Sequence, residues 1–298
     1  MNGILPLWKE KGFTSHDCVS KARGMLKTKK IGHTGTLDPD VEGVLPLCIG
    51  KATKIVPFLT DTEKVYEAEV TVGRSTETED ASGAVIDRQS VTTTPSKQEI
   101  ANVIQQFEGQ ITQIPPMYSA VKVKGKRLYE YARDGETVER PVRSVNIHKI
   151  QLHENSITSL GEAFTFKITV TCSKGTYIRT LCVDIGKALG YPAHMSSLVR
   201  SRTGDIDKAQ CYTFAQFQQF VDAGNVEQMI LPMGRGLNHL NELQINEDQR
   251  FAFEHGQVLE KPSDDVNDPF VVKYKDEVLA IYQQHPTKPD KIKPIRVF

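Results

Sequence analysis

The stretch IGHTGTLDPD, residues 31–40, gathers residue types that could do chemistry. Gly32 and Gly35 bracket His33 and Thr34, Leu37 leads into Asp38, and Pro39 follows. Glycine lets a backbone pass close beside a ligand. Proline pushes the preceding residue towards an extended conformation, so Asp38 would project its carboxylate reproducibly. A carboxylate held that way could serve as a covalent nucleophile or as a base. LDPD is also the composition of an ordinary turn. His33 has no cysteine or histidine nearby at metal-ligand spacing, so the loop does not read as a metal centre.

Elsewhere the familiar signatures are absent. The chain holds no GxxxxGK[ST] phosphate loop, no GxGxxG, no HExxH and no GxSxG. Carboxylates, arginines and tyrosines remain. Arg179 is suited to pair with a half-buried carboxylate through two hydrogen bonds, although a surface arginine would read the same way. Tyr66 and Tyr177 suit base stacking and core packing equally. The segment QIPPMYSAVKVKGKRLYEYARDG places Tyr118, Tyr129 and Tyr131 among Lys122, Lys124, Lys126 and Arg127. Cations for phosphates and rings for bases suit a polynucleotide, and a solvated amphipathic segment would look similar.

These residues need elements to position them. Residues 14–27 read as a helix capped by Thr14 or Ser15, with Asp17 near its positive end and Val19, Ala22 and Leu26 as its stripe. KVYEAEVTVG alternates as a strand, with Tyr66, Ala68, Val70 and Val72 on one face and Glu67, Glu69 and Thr71 on the other. SKQEIANVIQQFEG carries a capping box, Ser96 with Glu99, ahead of Ile100, Val103, Ile104 and Phe107, and Gly109 is a plausible stop. EAFTFKITVTC is a second alternating strand, with Phe164, Phe166, Ile168, Val170 and Cys172 sharing a face. After an SKG turn the period lengthens to that of a helix, with Ile178, Leu181, Cys182 and Ile185 as its buried stripe and Gly190 as its end. Arg179 falls beside that stripe, where it could reach a cleft edge. FAQFQQFVDAGNVEQMILPMGRG reads as a helix and a connector. Beyond it LQINEDQRFAFEHGQVL and PFVVKYKDEVLAIYQ suggest short strands, with Lys275-Asp276 as a hairpin turn. The boundary falls near residue 238. The expected class is α+β, with a mixed, largely antiparallel sheet core, flanking helices and a small C-terminal β-rich domain.

Composition sets the wider frame. The chain of 298 residues is 39% hydrophobic and 25% charged, which suits a soluble globular protein of one large domain or two unequal ones. No apolar run is long enough for a membrane helix, and the first residues do not form a convincing signal peptide. Five scattered cysteines without a CxxC pair argue against a disulfide framework or structural zinc and fit a reducing, cytoplasmic setting. Net charge is zero but unevenly spread. Residues 8–30 hold seven basic and two acidic side chains, residues 174–202 five and one, and residues 240–270 two and eight. A neutral total can therefore conceal a basic face, which points to nucleic acid.

Several separate stretches resemble one family, the bacterial tRNA pseudouridine-55 synthases of the TruB type. GHTGTLDPDVEGVLPLCIGKATK looks like its signature. KVYEAEVTVGRSTETEDASG resembles its next motif, matched here by Lys64, Tyr66, Ala68, Gly73, Thr76, Thr78, Asp80 and Gly83. QIPPMYSAVKVKGKRLYEYAR, CSKGTYIRTLCVDIGKALG and MSSLVRSRTGDI resemble three more. The similarity covers nearly all of residues 1–236, and the last 60 residues resemble the family's small PUA-like RNA-binding domain more weakly. The N-terminus departs from the pattern: WKEKGFTS stands where the family often has DKPxGxTS, so Glu10 replaces the proline.

The resemblance implies a pseudouridine synthase domain over residues 1–237 and a PUA-like domain over 238–298. It implies isomerisation of one T-loop uridine in tRNA after base flipping, with no cofactor, no metal, no membrane and no required protein partner. Asp38 matches the catalytic aspartate, which attacks C1′, removes the 2′ proton or adds at uracil C6. Arg179 matches the arginine that pairs with that aspartate. Tyr66 matches the tyrosine that stacks on the target base and is implicated in proton handling. Tyr177 and Leu198 match positions lining the pocket, and His33 one implicated in filling the space left in the RNA. Lys64, Lys122, Lys124, Lys126, Arg127 and Arg202 are the expected RNA contacts. A non-catalytic RNA-binding or tRNA-folding module is the alternative, and a related enzyme acting on rRNA or through a guide RNA is a third reading.

Overall fold

The computed structural model describes residues 1–262 and 268–298. The chain divides into two compact units. One comprises residues 1–40, 44–62 and 203–298; the other comprises residues 41–43 and 63–202.

In the first unit the strand Gly3–Lys9 is buried along its whole length and lies beside the strand Glu42–Ile49. A strand buried on both faces reads as a continuous apolar run, which ILPLW supplies. The short strand Ile31–His33 joins antiparallel, with Ile31 opposite Ile49 and His33 opposite Leu47. The expected first helix is Ser15–Leu26. Thr14 is its cap, and Asp17 returns the bond to complete a capping box. Gly24 is accommodated within it. Cys18, Val19 and Ala22 pack against Leu5, Leu45, Leu47 and Phe217, the last from the helix Phe214–Asp222.

The same unit holds a second, five-stranded sheet in the order Asn241–Gln244, Phe270–Tyr274, Glu277–His285, Lys288–Val297, Leu259–Glu260. Its first two strands run parallel and the other pairs antiparallel. Tyr274 pairs with Glu277 across the expected Lys275-Asp276 turn. Leu243, Phe253, Phe270, Val272 and Tyr282 form its core. One expectation is corrected. NEDQRFAFE forms the helix Glu247–Glu254 rather than strands. Asn246 caps it and Gln249 closes a capping box, which outweighs the weak strand pattern of a short window.

The second unit is a sheet with helices against it. Its strand order is Ala193–Thr203, Lys64–Val72, Ala163–Cys172, Arg143–Leu160, Gly109–Gln113. The last four strands pair antiparallel, and Glu42–Gly43 pairs parallel with Val199–Arg200 at the other edge. The sheet is therefore mixed and largely antiparallel, as expected. Gly43 is required there, because its φ is +141° and a Cβ would collide with the Arg200 carbonyl. Phe164, Phe166, Ile168, Val170 and Cys172 are all fully buried, as their alternation indicated. The helices Lys97–Gln105 and Ile178–Ala188 pack here, and Ser96 and Glu99 form the expected capping box. Gly109 opens the next strand, and the helix stops earlier, at Gln105.

Candidate active-site residues and their supports

The loop that carries Asp38 is clamped on both sides of that residue. Ser15, at the start of the first helix, bonds both main-chain polar groups of Leu37. Leu37 N–H donates to Ser15 Oγ at 2.9 Å, and Ser15 Oγ donates to Leu37 O at 3.4 Å. Both residues are buried, so neither group has water as a substitute. Past Asp38, Pro39 O accepts from Gly12 N–H at 2.9 Å and from Lys9 Nζ at 3.1 Å. Lys9 is fully buried and also donates to Glu10 O at 3.2 Å. A buried ammonium needs such acceptors, and it places a positive charge at the Pro39–Asp40 peptide. Upstream, buried Thr34 donates to Pro46 O at 3.3 Å, while Gly35 N–H meets His33 Nδ1 at 3.4 Å. Asp38 and His33 are half-buried. The loop is thus fixed by residues of WKEKGFTS, the stretch that departs from the family pattern.

Ser15→Ala tests this clamp. It strands a buried N–H, which costs about 1–3 kcal/mol. The melting temperature should fall by several degrees, and turnover should fall more than tRNA affinity. An unchanged melting point and an unchanged rate would show that Ser15 does not hold the loop.

The second unit positions the tyrosines and the arginine. Tyr66 lies half-buried on Lys64–Val72, opposite Val170. Leu198, 8% exposed, lies on Ala193–Thr203, the strand beside it. Tyr177 sits where the helix Ile178–Ala188 begins, and the Gln113 side-chain amide holds its backbone. Tyr177 N–H donates to Gln113 Oε1 at 2.9 Å, and Gln113 Nε2 donates to Tyr177 O at 3.1 Å. Gln113 is 2% exposed, so this pairing fixes the helix entry from the edge strand.

Arg179, expected beside the buried stripe, is itself buried. Ile178, Thr180, Leu181 and Cys182 are buried with it, because this end of the helix is covered on more than one side. Its Nη1 donates to Thr78 O at 3.0 Å and its Nη2 to Tyr118 O at 2.8 Å. Nε lies 3.9 Å from Asp80 Oδ2. The residues of TETEDASG build this cradle. Asp80 Oδ1 accepts from Thr78 Oγ1 at 2.6 Å, Ser82 N–H at 2.9 Å and Ser82 Oγ at 2.6 Å. Thr76 Oγ1 donates to Asp80 O at 2.5 Å. At Gly83 a Cβ would run into Thr78 Oγ1. Between them Glu79 takes a left-handed backbone, φ +65°. Burial pushes its carboxyl above the usual range, while a 2.8 Å bond from Thr180 Oγ1 and the Arg179 charge pull it back. Gln113, Tyr118 and Asp80 were absent from the expected site. The Thr-x-Thr-x-Asp-x-x-Gly spacing was the available signal for Asp80. Nothing local marked Gln113.

The expected RNA contacts divide. Lys122, Lys124 and Arg127 are exposed on a two-residue hairpin, Lys122–Val123 with Lys126–Arg127, which turns at Lys124 and Gly125 with φ +50° and +87°. Lys126 is paired with Asp134 and Glu136 and lies 4.6 Å from the Tyr131 ring. Arg127 donates to Tyr129 Oη at 2.8 Å. The aromatics of this segment therefore also organise its own cations. Arg202 pairs with Glu63 at 2.5 Å, and Lys64 is buried at 4% exposure. Among the described residues no cluster of three or more His, Cys, Asp or Glu side chains is placed to hold a metal, and no helix is long and apolar enough to cross a membrane.

Comparison with known proteins adds the family. Residues 23–178 match the model of the TruB family pseudouridylate synthase N-terminal domain, and residues 179–238 that of the tRNA pseudouridylate synthase B C-terminal domain. The chain is 56% identical to the tRNA pseudouridine synthase B of Oceanobacillus iheyensis, over 100% of this chain and 98% of that one. It is 48% identical to that of Bacillus pumilus, over 100% and 97%. Among solved structures it is similar to one from a Cbf5-Nop10-Gar1 complex, with TM-score 0.73 and 28% identity, covering 99% of this chain and 83% of that chain. Its class is accordingly that of enzymes which remake uridine in RNA. The chain belongs to the TruB family of pseudouridylate synthases.

Proposed function

We propose that this protein isomerises uridine 55 in the T loop of tRNA to pseudouridine. The observation that carries the reading is similarity over the full length to proteins named tRNA pseudouridine synthase B. The N1–C1′ bond breaks, uracil turns, and C5 bonds to C1′. C5 loses its proton to solvent and N1 gains one, so the reaction is redox-neutral and needs no external donor. The target is folded into a loop and must be flipped out to be reached.

Asp38 is the catalytic residue in this account. It acts at the ribose or the base, and every version of the step needs an ionised carboxylate fixed beside the flipped nucleotide. Arg179 takes the role that the family pattern gives the arginine of GTYIRTL. Tyr66 stacks on the base, Tyr177 and Leu198 line the pocket, and His33 occupies the space vacated in the RNA. The exposed cations of the 122–127 hairpin hold phosphates. Lys126, Lys64 and Arg202 have weaker claims, two being paired and one buried. Residues 1–237 form the catalytic domain and residues 238–298 a PUA-like RNA-binding domain. The protein works in the cytoplasm, on tRNA, and requires no protein partner.

The test is to map pseudouridine, by carbodiimide treatment and primer extension, in tRNA and rRNA from a strain lacking the gene. Loss at tRNA position 55 alone is expected. Retention there, or loss only in rRNA, would overturn the reading. Tyr66→Phe tests the tyrosine separately. It keeps the stacking ring and removes the hydroxyl, so tRNA affinity should hold. Single-turnover rate should fall by roughly 10²-fold or more if the hydroxyl moves a proton, as we propose. A rate near that of the parent would limit Tyr66 to stacking.

A further inference from the structure

Tyr118 stands outside the proposed chemistry, yet it is bonded to Arg179. Its carbonyl accepts from Arg179 Nη2 at 2.8 Å. Its hydroxyl donates to Glu77 Oε1 at 3.2 Å. Glu77 immediately precedes Thr78, whose carbonyl accepts from Arg179 Nη1 at 3.0 Å. The two carbonyls that hold the guanidinium come from segments distant in sequence, and the Tyr118–Glu77 bond ties those segments together beside it. Arg179, Thr78, Glu77 and Tyr118 thus close a ring of contacts.

The Thr78 side of that ring is rigid, because Asp80 locks its turn. The Tyr118 side leads elsewhere. Ser119 O accepts from Tyr129 N–H at 3.1 Å, and Val121 O accepts from Leu128 N–H at 2.8 Å. Those two bonds root the basic hairpin and the helix Leu128–Arg133, with Leu128 fully buried beneath them. The exposed cations and the buried arginine are therefore joined through Tyr118–Val121, a stretch of four residues.

We infer that Tyr118 is a positioning residue that links the basic hairpin to Arg179, so that seating the hairpin on the RNA backbone sets the guanidinium for catalysis. This rests on the reading of Arg179 given above. The hydroxyl anchors the Tyr118 carbonyl at the distance and direction that the arginine fork requires. Without the anchor the hairpin still meets phosphate, but the Tyr118 carbonyl, one of the two that accept from the Arg179 fork, loses its fixed position. Burial and the nearby Glu77 push the phenol above its ordinary value, which keeps it a donor through the working pH range.

The experiment compares Tyr118→Phe, Glu77→Gln, Glu77→Ala and the double variant Tyr118→Phe/Glu77→Ala with the parent. It measures single-turnover rate at saturating tRNA, tRNA affinity and melting temperature, with Arg179→Lys alongside. Tyr118→Phe should lower the rate about tenfold, the loss expected for one hydrogen bond to a charged acceptor, with affinity within twofold. Glu77→Gln keeps an acceptor oxygen and should restore most of the rate, whereas Glu77→Ala should match Tyr118→Phe. The double variant should be no slower than either single one. Parent-like rates for Tyr118→Phe and Glu77→Ala with a slow Arg179→Lys would overturn the link and leave the arginine's role standing. A parent-like Arg179→Lys would instead remove the reading beneath it. Rate losses that only track melting temperature, or additive losses in the double variant, would also count against the link.

Discussion

Asp38→Asn should abolish pseudouridine formation while leaving tRNA affinity within a few-fold of the parent. The substitution keeps the shape of the side chain and removes its charge, its basicity and its nucleophilicity. Its neighbours hold the loop through main-chain atoms: Ser15 binds Leu37, and Gly12 and Lys9 bind Pro39. None of those bonds uses the Asp38 carboxylate, so the loop should keep its course. RNA binding draws on phosphate contacts and shape, to which one carboxylate contributes little. The single-turnover rate should drop on the order of 10⁴-fold or more, as when the reacting group of an enzyme is removed. A residual rate within tenfold of the parent would move the chemistry to another residue. Lost tRNA binding would instead give Asp38 a structural role.

Arg179→Lys should be the next most damaging change, even though it conserves charge. Arg179 is 6% exposed, and its planar fork reaches the Thr78 and Tyr118 carbonyls at once, with Asp80 near Nε. An ammonium is a point donor on a shorter reach and cannot reproduce that geometry. Each lost charge-assisted bond costs about 1.5–3 kcal/mol, roughly tenfold to 100-fold in rate if it is expressed in the transition state. Turnover should therefore fall by roughly 10²-fold, with a lower melting temperature. Arg179→Ala should be worse for stability, because removing one partner from a buried ionic network costs about 3–5 kcal/mol. Assaying both well below their melting points separates the contributions. If Arg179→Lys melts lower but turns over like the parent when folded, the arginine is a structural brace and no more.

Much of this arrangement was legible in the sequence, and the particular residues show why. The alternation from Phe164 to Cys172 and the capping box at Ser96 each report a local rule that the tertiary structure reinforces. The loop at Asp38 was recognisable from its glycines and proline, and its meaning grew once Tyr66 and Arg179 matched a family pattern far along the chain. What stayed hidden is what tertiary structure decides. Gln113 clamps Tyr177 across 64 positions, and Ser15 clamps Leu37 across 22. No spacing rule marks either. Arg179 was expected beside its helix's buried stripe, but the burial of a helix flank depends on what covers it, here the turn at Thr78–Asp80 and the segment at Tyr118. The helix Glu247–Glu254 was missed because a short window with weak apolar periodicity is ambiguous, and its Asn246 cap was the better guide. Lys126 reads as a free cation until folding brings Asp134 and Glu136 to it.

Tritium release from tRNA labelled at C5 of uridine tests the central claim most directly, since forming the C5–C1′ bond expels that hydrogen. The parent protein should release one tritium per tRNA from a transcript with an intact T arm. It should release none from the same transcript carrying cytidine at position 55, and Asp38→Asn should release none from either. No release by the parent, or equal release from the cytidine-55 transcript, would contradict the account.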